Sequence, residues 1–321
     1  APDPAEVAAA VVAATAGPVL AVPGGGTSLA VLDAVQDLGR DVVTVHHEAT
    51  AAIAAGTVGA LAGRPGAAVA IKGPGLANLV PGLGLATLEG RPVLALVEAH
   101  PAGSPAVHKR MDHAALAAGV AKGLGAAADA VAVATAARLA TAERPGAVVL
   151  ELIGGAPVEA GPAASPPAPD PAVLAAVAAA ARPLVVAGTA AARAGWAAAL
   201  AGVGVPVATS AAAKGLVDER TVPAAGVVTG AGGPRSPEAA LLAEADLVVA
   251  VGLDDRELLA PLDGARTVRV DAAAGPATEL LGALRTDGWD LARVHGRLRG
   301  LRDALVDAEA WLPAAVLAAV A

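Results

Sequence analysis

The sequence contains no cysteine, phenylalanine or tyrosine, and its only aromatic residues are three tryptophans. The absence of cysteine excludes disulfides, thiolate metal sites and cysteine nucleophiles, and it is typical of a cytoplasmic protein. With almost no aromatic rings to stack on bases, single-stranded nucleic acid is a poor candidate partner. Lysine and arginine number 22 against 30 acidic residues, and their scattered positions exclude a basic footprint for duplex nucleic acid.

A long uninterrupted apolar segment is also missing, although 55% of the residues are hydrophobic. Residues 7–32 carry no charge, but Gly17-Pro18 and the Pro-Gly-Gly-Gly run at 23–26 interrupt them. A membrane-spanning helix needs about 20 continuous apolar residues. The amino terminus, APDPAE, has none of the basic residues that open a signal peptide. We therefore expect no membrane association.

Short apolar runs instead alternate with alanine-rich helical patterns, which predicts an α/β fold with two doubly wound parallel sheets. The runs predicted as strands are residues 19–22, 42–45, 67–71, 93–97, 148–152, 184–187, 205–209, 247–251 and 267–270. Alanine-rich segments between them, among them 49–62, 114–121 and 190–201, predict helices. A core of small aliphatic side chains requires close approach of backbones, which helices stacked on a parallel sheet provide.

The domain organisation follows from a change in composition near the middle of the chain. Residues 154–171 are rich in proline, glycine and alanine and show no hydrophobic period, which indicates an interdomain linker. We predict a first domain at 1–155, a linker at 156–171, a second domain at 172–285 and a helical tail at 286–321. A length of 321 residues suits two domains.

Candidate ligand-binding residues follow three of the predicted strands. The turn at 23–26 follows the first strand, Glu48 follows the second at the start of a helix, and the Gly-Pro-Gly turn at 73–75 follows the third. Ligands of open α/β sheets bind beyond the carboxyl ends of the strands. Taken alone, an acid in a first helical turn is most simply a solvated residue favoured by the helix dipole.

Four motifs occur in a fixed order: PGGG at 23–26, HHEATAAIAAG at 46–56, IKGPGLAN at 71–78 and RPVLALV at 91–97. Together they resemble the pyrimidine-binding domain of thiamine-diphosphate enzymes of the acetolactate synthase and benzoylformate decarboxylase type. The resemblance implies that Glu48 hydrogen-bonds N1′ of the cofactor's aminopyrimidine and thereby activates the cofactor. It also implies cofactor-binding roles for Pro23, Gly24, Gly25, Gly73, Pro74 and Asn78, the single asparagine of the chain.

Four further residues are weaker candidates for contact with a substrate: His47, Lys72, His108 and His113. Lys72 stands where the family commonly has a small hydroxyl residue, and its ammonium would suit a substrate carboxylate or would simply be solvated. His108 and His113 lie in a polar segment for which a solvated loop is an equal alternative. No spacing of histidines or acids predicts a metal site, and no GxSxG motif predicts a hydrolase.

The second half resembles the central domain of the same family in the segments 181–195, 204–219 and 244–258. In relatives this domain is either structural or binds FAD or an ADP group. No GxGxxG loop follows its strands, so nucleotide binding is weakly supported and a structural role is favoured. The alternative function for the chain is a non-catalytic nucleotide-binding, regulatory or assembly module. An NAD-dependent dehydrogenase is disfavoured by the same missing loop.

The family's third domain has no counterpart in these residues. Its magnesium- and diphosphate-binding motif is Gly-Asp-Gly followed by asparagine, and neither element follows Asn78. Residues 311–317 resemble the helix that opens that domain. The resemblance therefore implies a partner with a GDG…N motif that binds Mg²⁺ and shares the thiamine diphosphate, whether the chain is a natural subunit or a fragment. It further implies homodimerisation of the pyrimidine domain and a small 2-oxo acid substrate for decarboxylation or carboligation.

Overall fold

A computed structural model describes residues 2–101, 103–105, 108–159, 170–233, 236–262, 267–273 and 275–307 of the chain. The chain divides into two units, Ala1–Ala163 and Ala164–Ala321. Within the described ranges, no helix combines the length and the apolar character needed to cross a membrane.

The first unit alternates strands and helices in the order that the apolar runs predict. Its elements are α1 (Pro4–Ala14), β1 (Ala16–Ala21), α2 (Thr27–Asp37), β2 (Val42–Thr44), α3 (Glu48–Ala62), β3 (Gly66–Ala70), α4 (Pro74–Leu88), β4 (Val93–Val97), α5 (His113–Ala117), β5 (Gly123–Ala126), α6 (Ala130–Thr141) and β6 (Ala147–Glu151). Helix α3 ends at Gly63, whose φ of 65° is the left-handed conformation that glycine adopts most readily.

Six parallel strands form the sheet of the first unit, in the order β2-β1-β3-β4-β6-β5. Alternate residues of β3 contribute to two separate cores. Ala67 and Val69 pack with residues of α1, α2 and α6, whereas Ala68 and Ala70 pack with residues of α3 and α4. Because helices cover both faces, the central strands β3 and β4 are apolar and buried at every position. The predicted doubly wound parallel sheet is confirmed.

Small residues allow α3 to lie unusually close to the sheet and to α4. A Cβ atom added to Gly59 would lie 2.2 Å from the carbonyl oxygen of Pro92, and one added to Gly66 would lie 2.0 Å from that of Ala55. A Cβ on Gly82 of α4 would lie 2.6 Å from the Cβ of Ala52 in α3. These contacts leave no room for side chains, so this packing requires the glycine- and alanine-rich sequence.

The second unit contains a second all-parallel sheet, of five strands in the order β11-β10-β7-β8-β9, as predicted. Its elements are α7 (Pro171–Ala179), β7 (Pro183–Ala187), α8 (Thr189–Arg193), α9 (Ala197–Ala201), β8 (Val207–Thr209), β9 (Ala224–Val227), α10 (Pro237–Glu244), β10 (Leu247–Val251), a 3₁₀-helix (Asp255–Glu257), β11 (Thr267–Val270), α11 (Thr278–Ala283) and α12 (Leu291–Asp307).

Two buried tryptophans anchor the core of the second unit. Trp196 is fully buried, and its indole Nε1 donates to the carbonyl oxygen of Ala272 at 3.1 Å. Trp289 donates in the same way to Pro183 at 2.9 Å. Trp289 lies beyond residue 285, and the following helix α12 packs against β9. The described part of the segment that we assigned to a helical tail therefore packs on the second unit.

Three elements differ from the sequence-based expectations. Strands β5 and β9 were not predicted, because their sequences GLGA and AAGV contain almost none of the β-branched and aromatic residues typical of strands. The helix predicted at 190–201 is two short helices, α8 and α9. Gly195 has a φ of 76° and ends the first, after which Trp196 enters the core.

The beginning of the segment that we assigned to the linker packs on the first unit. The backbone N–H of Ala126 donates to the carbonyl of Ala156 at 2.9 Å. Val158 is buried, and its backbone nitrogen would lie 2.3 Å from a Cβ added to Gly125. Residues 156–158 thus complete the edge of the first sheet, whereas 160–169 lie outside the described residues.

A substitution of Leu200 tests the core of the second unit, because this side chain is fully buried in α9. Its replacement by alanine leaves a cavity and should lower the free energy of unfolding by about 2–5 kcal/mol. Urea titration followed by tryptophan fluorescence measures the change, because Trp196 and Trp289 both belong to this unit. As a control, Leu259→Ala at a site 81% exposed should change it by less than about 0.5 kcal/mol. Equal losses in both variants would contradict the core position of Leu200.

Candidate functional site

The predicted ligand-binding residues lie at the carboxyl-terminal edge of the first sheet. The turn at 23–26 follows β1, Glu48 follows β2, and Lys72 and Gly73 follow β3. From β1 the chain continues to β2 on one side, whereas from the adjacent strand β3 it continues to β4 on the other side, so the strand order reverses between β1 and β3. In open α/β sheets, such a reversal of strand order creates the crevice in which ligands bind.

Glu48 is the first residue of α3 and is only 7% exposed. Its Oε2 accepts a hydrogen bond from the side-chain Nδ2 of Asn78 at 3.0 Å. Its Oε1 has no hydrogen-bond partner within the described part of the chain. A buried carboxylate therefore has one oxygen fixed by the protein and the other available to a ligand.

The contact between Glu48 and Asn78 depends on how α3 and α4 pack. Asn78 lies one turn into α4, and Gly82 lies one turn further along the same helix. At Gly82 the two helices approach so closely that an added Cβ would lie 2.7 Å from the carbonyl oxygen of Ala49. This close approach at the start of α3 brings the asparagine amide within hydrogen-bonding distance of the carboxylate.

The glycine turns are packed tightly in two places and open in one. A Cβ on Gly24 would lie 2.8 Å from the Cβ of Ile71, so the turns after β1 and β3 touch. Gly73 has a φ of 63°, and a Cβ there would lie 1.9 Å from the carbonyl oxygen of Lys109. Gly25 faces open space, next to the exposed Pro23, and Pro74 begins α4. Glycine is thus required at 24 and 73 for close approach of neighbouring segments.

Glu98 is a site residue that the sequence did not single out. It follows β4, is 7% exposed, and accepts from the backbone N–H of Thr27 at 3.1 Å. Its other oxygen pairs with the ammonium of Lys72 at 2.7 Å. Glu98 therefore joins the ends of three neighbouring strands, and a Cβ on Gly26 would lie 2.2 Å from its Oε1. A lone acid after an apolar run gave no signal of this role in the sequence.

A cavity of about 340 Å³ lies beside these strand ends. Lys72 and His113, two of the four residues predicted to contact substrate, line it. Glu48, Asn78 and the turn at 23–26 are not part of its lining. The other residues that line it include His100, Lys109, Arg110, Asp112 and Glu151. Cationic and acidic groups thus surround a space large enough for a small organic acid.

The three histidines predicted to contact substrate differ in burial and in hydrogen-bond partners. His113 is buried, with both ring nitrogens bonded to protein. His47 is exposed and caps α3, because its Nδ1 accepts from the backbone N–H of Ala49 at 3.1 Å. His108 is exposed, and its carbonyl oxygen lies 2.9 Å from Nε2 of His100.

In the second unit, Glu257 occupies the corresponding strand ends. Its carboxylate accepts from the backbone N–H of Thr189 at 3.0 Å, from the Thr189 hydroxyl at 2.7 Å and from the Ser210 hydroxyl at 2.5 Å. These donors follow β7 and β8, beside the point where the strand order of this sheet reverses. Nucleotide phosphates bind at such a point in nucleotide-binding sheets. Because Glu257 accepts from these donors, they are not available to a ligand phosphate.

Asn78→Asp tests the contact with Glu48. It replaces the donor by a second carboxylate, so the free energy of unfolding should fall by about 1–3 kcal/mol near neutral pH. Urea unfolding followed by circular dichroism measures it. Gln36→Glu makes the same chemical change on an exposed helical surface and should have almost no effect. Equal losses of stability in both variants would contradict the contact.

Comparison with known proteins shows similarity to two domain families and to a bacterial enzyme. Residues 6–116 match the family model of the thiamine pyrophosphate enzyme N-terminal TPP binding domain. Residues 171–275 match the model of the thiamine pyrophosphate enzyme central domain. The acetolactate synthase of Bacillus subtilis (strain 168) is 37% identical over 78 residues, which are 24% of this chain and 14% of that enzyme. The two domain models together cover most of the chain, which therefore belongs to the thiamine pyrophosphate enzyme family.

Proposed function

We propose that the chain supplies the cofactor-activating portion of a thiamine-diphosphate-dependent decarboxylase or carboligase that acts on 2-oxo acids, as an acetolactate synthase-like enzyme would. The observation that carries this proposal is the state of Glu48. A buried carboxylate starts a helix at the ligand-binding edge of a sheet, and one of its oxygens has no partner among the described residues. An acid in this state is suited to exchange a proton with a heterocyclic nitrogen.

The residues around Glu48 fit the aminopyrimidine half of the cofactor. Asn78 orients the carboxylate through Oε2, which leaves Oε1 to hold a proton at N1′ of the ring. The open space beside Gly25 and the exposed Pro23 would accommodate the ring edge. When bound, thiamine diphosphate supplies the electron sink for carbon–carbon bond cleavage or formation. The protein's contribution is to bury the acid and fix its direction.

The cavity lined by Lys72 and His113 is the proposed position of the 2-oxo acid. The Lys72 ammonium would attract the substrate carboxylate, and Glu98 would fix the direction of the lysine side chain from behind. Glu98 also opposes this attraction, because its charge lies 2.7 Å from the same ammonium.

The diphosphate and Mg²⁺ are assigned in this proposal to a partner chain or to another part of the enzyme. No Gly-Asp-Gly occurs in the 321 residues. Over the described ranges, no three acidic or histidine side chains are grouped so that they could hold a metal ion. We further propose, from the family resemblance, that the first unit pairs with a second copy of itself.

The alternative function, a nucleotide-binding module, is disfavoured by Glu257. Its carboxylate already accepts from the Thr189 and Ser210 donors where a phosphate would bind. Calorimetric titration of the chain with ADP, FAD and NAD should therefore give only heats of dilution. Submicromolar binding of any of the three would support the alternative instead.

Glu48→Gln tests the proposed function in the enzyme assembled with a partner that carries GDG…N. Loss of an acid–base group should lower kcat for 2-oxo acid turnover by about 10²–10⁴-fold, and the chain alone should be inactive. Glu89→Gln is the matched control, because Glu89 is a half-exposed acid paired with Arg91 in the same unit. Wild-type turnover by the Glu48 variant would refute the assigned role.

A further inference from the structure

We propose that His113 is a positioning residue, held in the Nδ1-protonated tautomer, that fixes the turn at Gly73 and through it the contact between Asn78 and Glu48. The effect on catalysis rests on the proposed function of Glu48. The tautomer and the positioning follow from contacts within the chain.

The partners of the imidazole determine its tautomer. His113 is 8% exposed, and its Nε2 lies 2.9 Å from the backbone nitrogen of Gly73. A backbone N–H can only donate, so Nε2 must carry the lone pair. In the neutral ring the proton is then on Nδ1, which donates to Oε1 of Glu151 at 2.7 Å. Both nitrogens have partners, which suits positioning rather than proton transfer to a substrate.

Gly73 is held from two sides. Its backbone nitrogen donates to His113, and its Cα packs against the carbonyl oxygen of Lys109, where an added Cβ would lie at 1.9 Å. Lys109 itself has a φ of 59°, a left-handed conformation that non-glycine residues seldom adopt. The segment that leads into α5 is therefore fitted closely to the turn after β3.

The turn at Gly73 determines where α4 begins. Gly73 is the N-cap residue of α4, Pro74 is its first residue, and Asn78 lies one turn further on. A shift of Gly73 would therefore move the Asn78 amide relative to the Glu48 carboxylate. The series Glu151, His113, Gly73, Asn78 and Glu48 connects the cavity with the acid proposed to activate the cofactor.

Three other charged residues that line the cavity, Lys72, Asp112 and Arg110, have partners of their own. Lys72 pairs with Glu98, and Asp112 caps α5 by accepting from the N–H of Ala115 at 3.0 Å. Arg110 donates to the carbonyl of Ser104, and Nε2 of His100 lies 2.9 Å from the His108 carbonyl oxygen. Lys109 contacts the turn through its backbone. Glu151 is thus the acid that orients the His113 ring.

The tautomer can be measured directly in the full chain. Long-range ¹H–¹⁵N correlation spectra of ¹⁵N-histidine-labelled protein near pH 8 distinguish the two neutral tautomers. His113 should be protonated at Nδ1, as should His295, whose Nδ1 lies 3.4 Å from the carbonyl oxygen of Ala224. Of these two sets of signals, only that of His113 should vanish in His113→Gln. An Nε2-protonated His113 would overturn the proposal.

The coupling to Glu48 has its own reporter, because Asn78 is the single asparagine of the chain. Protein labelled with ¹⁵N-asparagine gives one side-chain amide pair, and this signal should move in Glu48→Gln. The chemical shift of this signal should also change in His113→Ala, because Gly73 then loses its acceptor. It should not change in His113→Gln, because the glutamine amide can accept from Gly73 and donate to Glu151. His100→Gln, at another residue that lines the cavity, is the control without effect.

An Asn78 signal that is identical in wild type and His113→Ala would refute the coupling. If His113→Ala does not fold, the histidine spectrum of the wild type still decides the tautomer, and Glu151→Gln offers a milder disturbance of the ring. Neither measurement needs thiamine diphosphate or a partner chain. If the spectra contradict the role of His113, the turnover test of Glu48→Gln still stands. If the turnover test fails, the spectra still decide the role of His113.

Discussion

The hydrogen bond from Asn78 to Glu48 depends on a close contact between helices α3 and α4. A carboxylate buried to this degree would be costly without a donor. The donor comes from a residue 30 positions away, on a different helix. It reaches Glu48 because Gly82 and Ala52 allow α3 and α4 to approach at the distance of touching backbones. The geometry of the candidate site therefore requires the small residues of α3 and α4.

Buried or partly buried acids organise the strand ends of both units in the same manner. Glu98 accepts from the N–H of Thr27, and Glu257 accepts from that of Thr189. Glu151 acts on Gly73 through the ring of His113. Each acid lies at or beyond the end of another strand, so it fixes the distance between neighbouring loops. Glu98 and Glu257 also satisfy a backbone donor that the sheet leaves unpaired. Such support by neighbouring side chains holds a site in its working geometry before a ligand arrives.

The two units differ in what their acids leave available. Glu257 accepts three donors at the strand-order reversal of the second sheet. Glu48 accepts one, and its second oxygen has no partner in the described part of the chain. In the second unit the protein's own donors thus hydrogen-bond the whole Glu257 carboxylate, whereas in the first unit they hydrogen-bond one oxygen of Glu48. This difference is the structural reason to assign the chemistry to the first unit.

The sequence predicted nine of the strands closely, because a strand covered on both faces is apolar at every position and its signal is local. It did not predict β5 and β9, whose glycine and alanine residues are held in the sheet by their neighbours rather than by their own preference. Nor did it predict the break at Gly195, since alanine-rich sequence on both sides reads as one helix. Glu98 and Glu151 gave no signal, because an acid at the end of a strand has the same sequence pattern whether its partner is water or the side chain of a lysine or histidine.

By itself, the sequence determined the fold class, the order of the elements and the residues whose types suit a thiamine-diphosphate site. Apolar periodicity, glycine turns and ordered motifs are properties of short segments, so no tertiary contact is needed to recognise them. Only the tertiary structure decided that Asn78 holds Glu48, that Glu98 holds Lys72, and that His113 holds Gly73. These pairs join segments 26 to 40 residues apart, and the distance between them is set by how closely helices and strands pack.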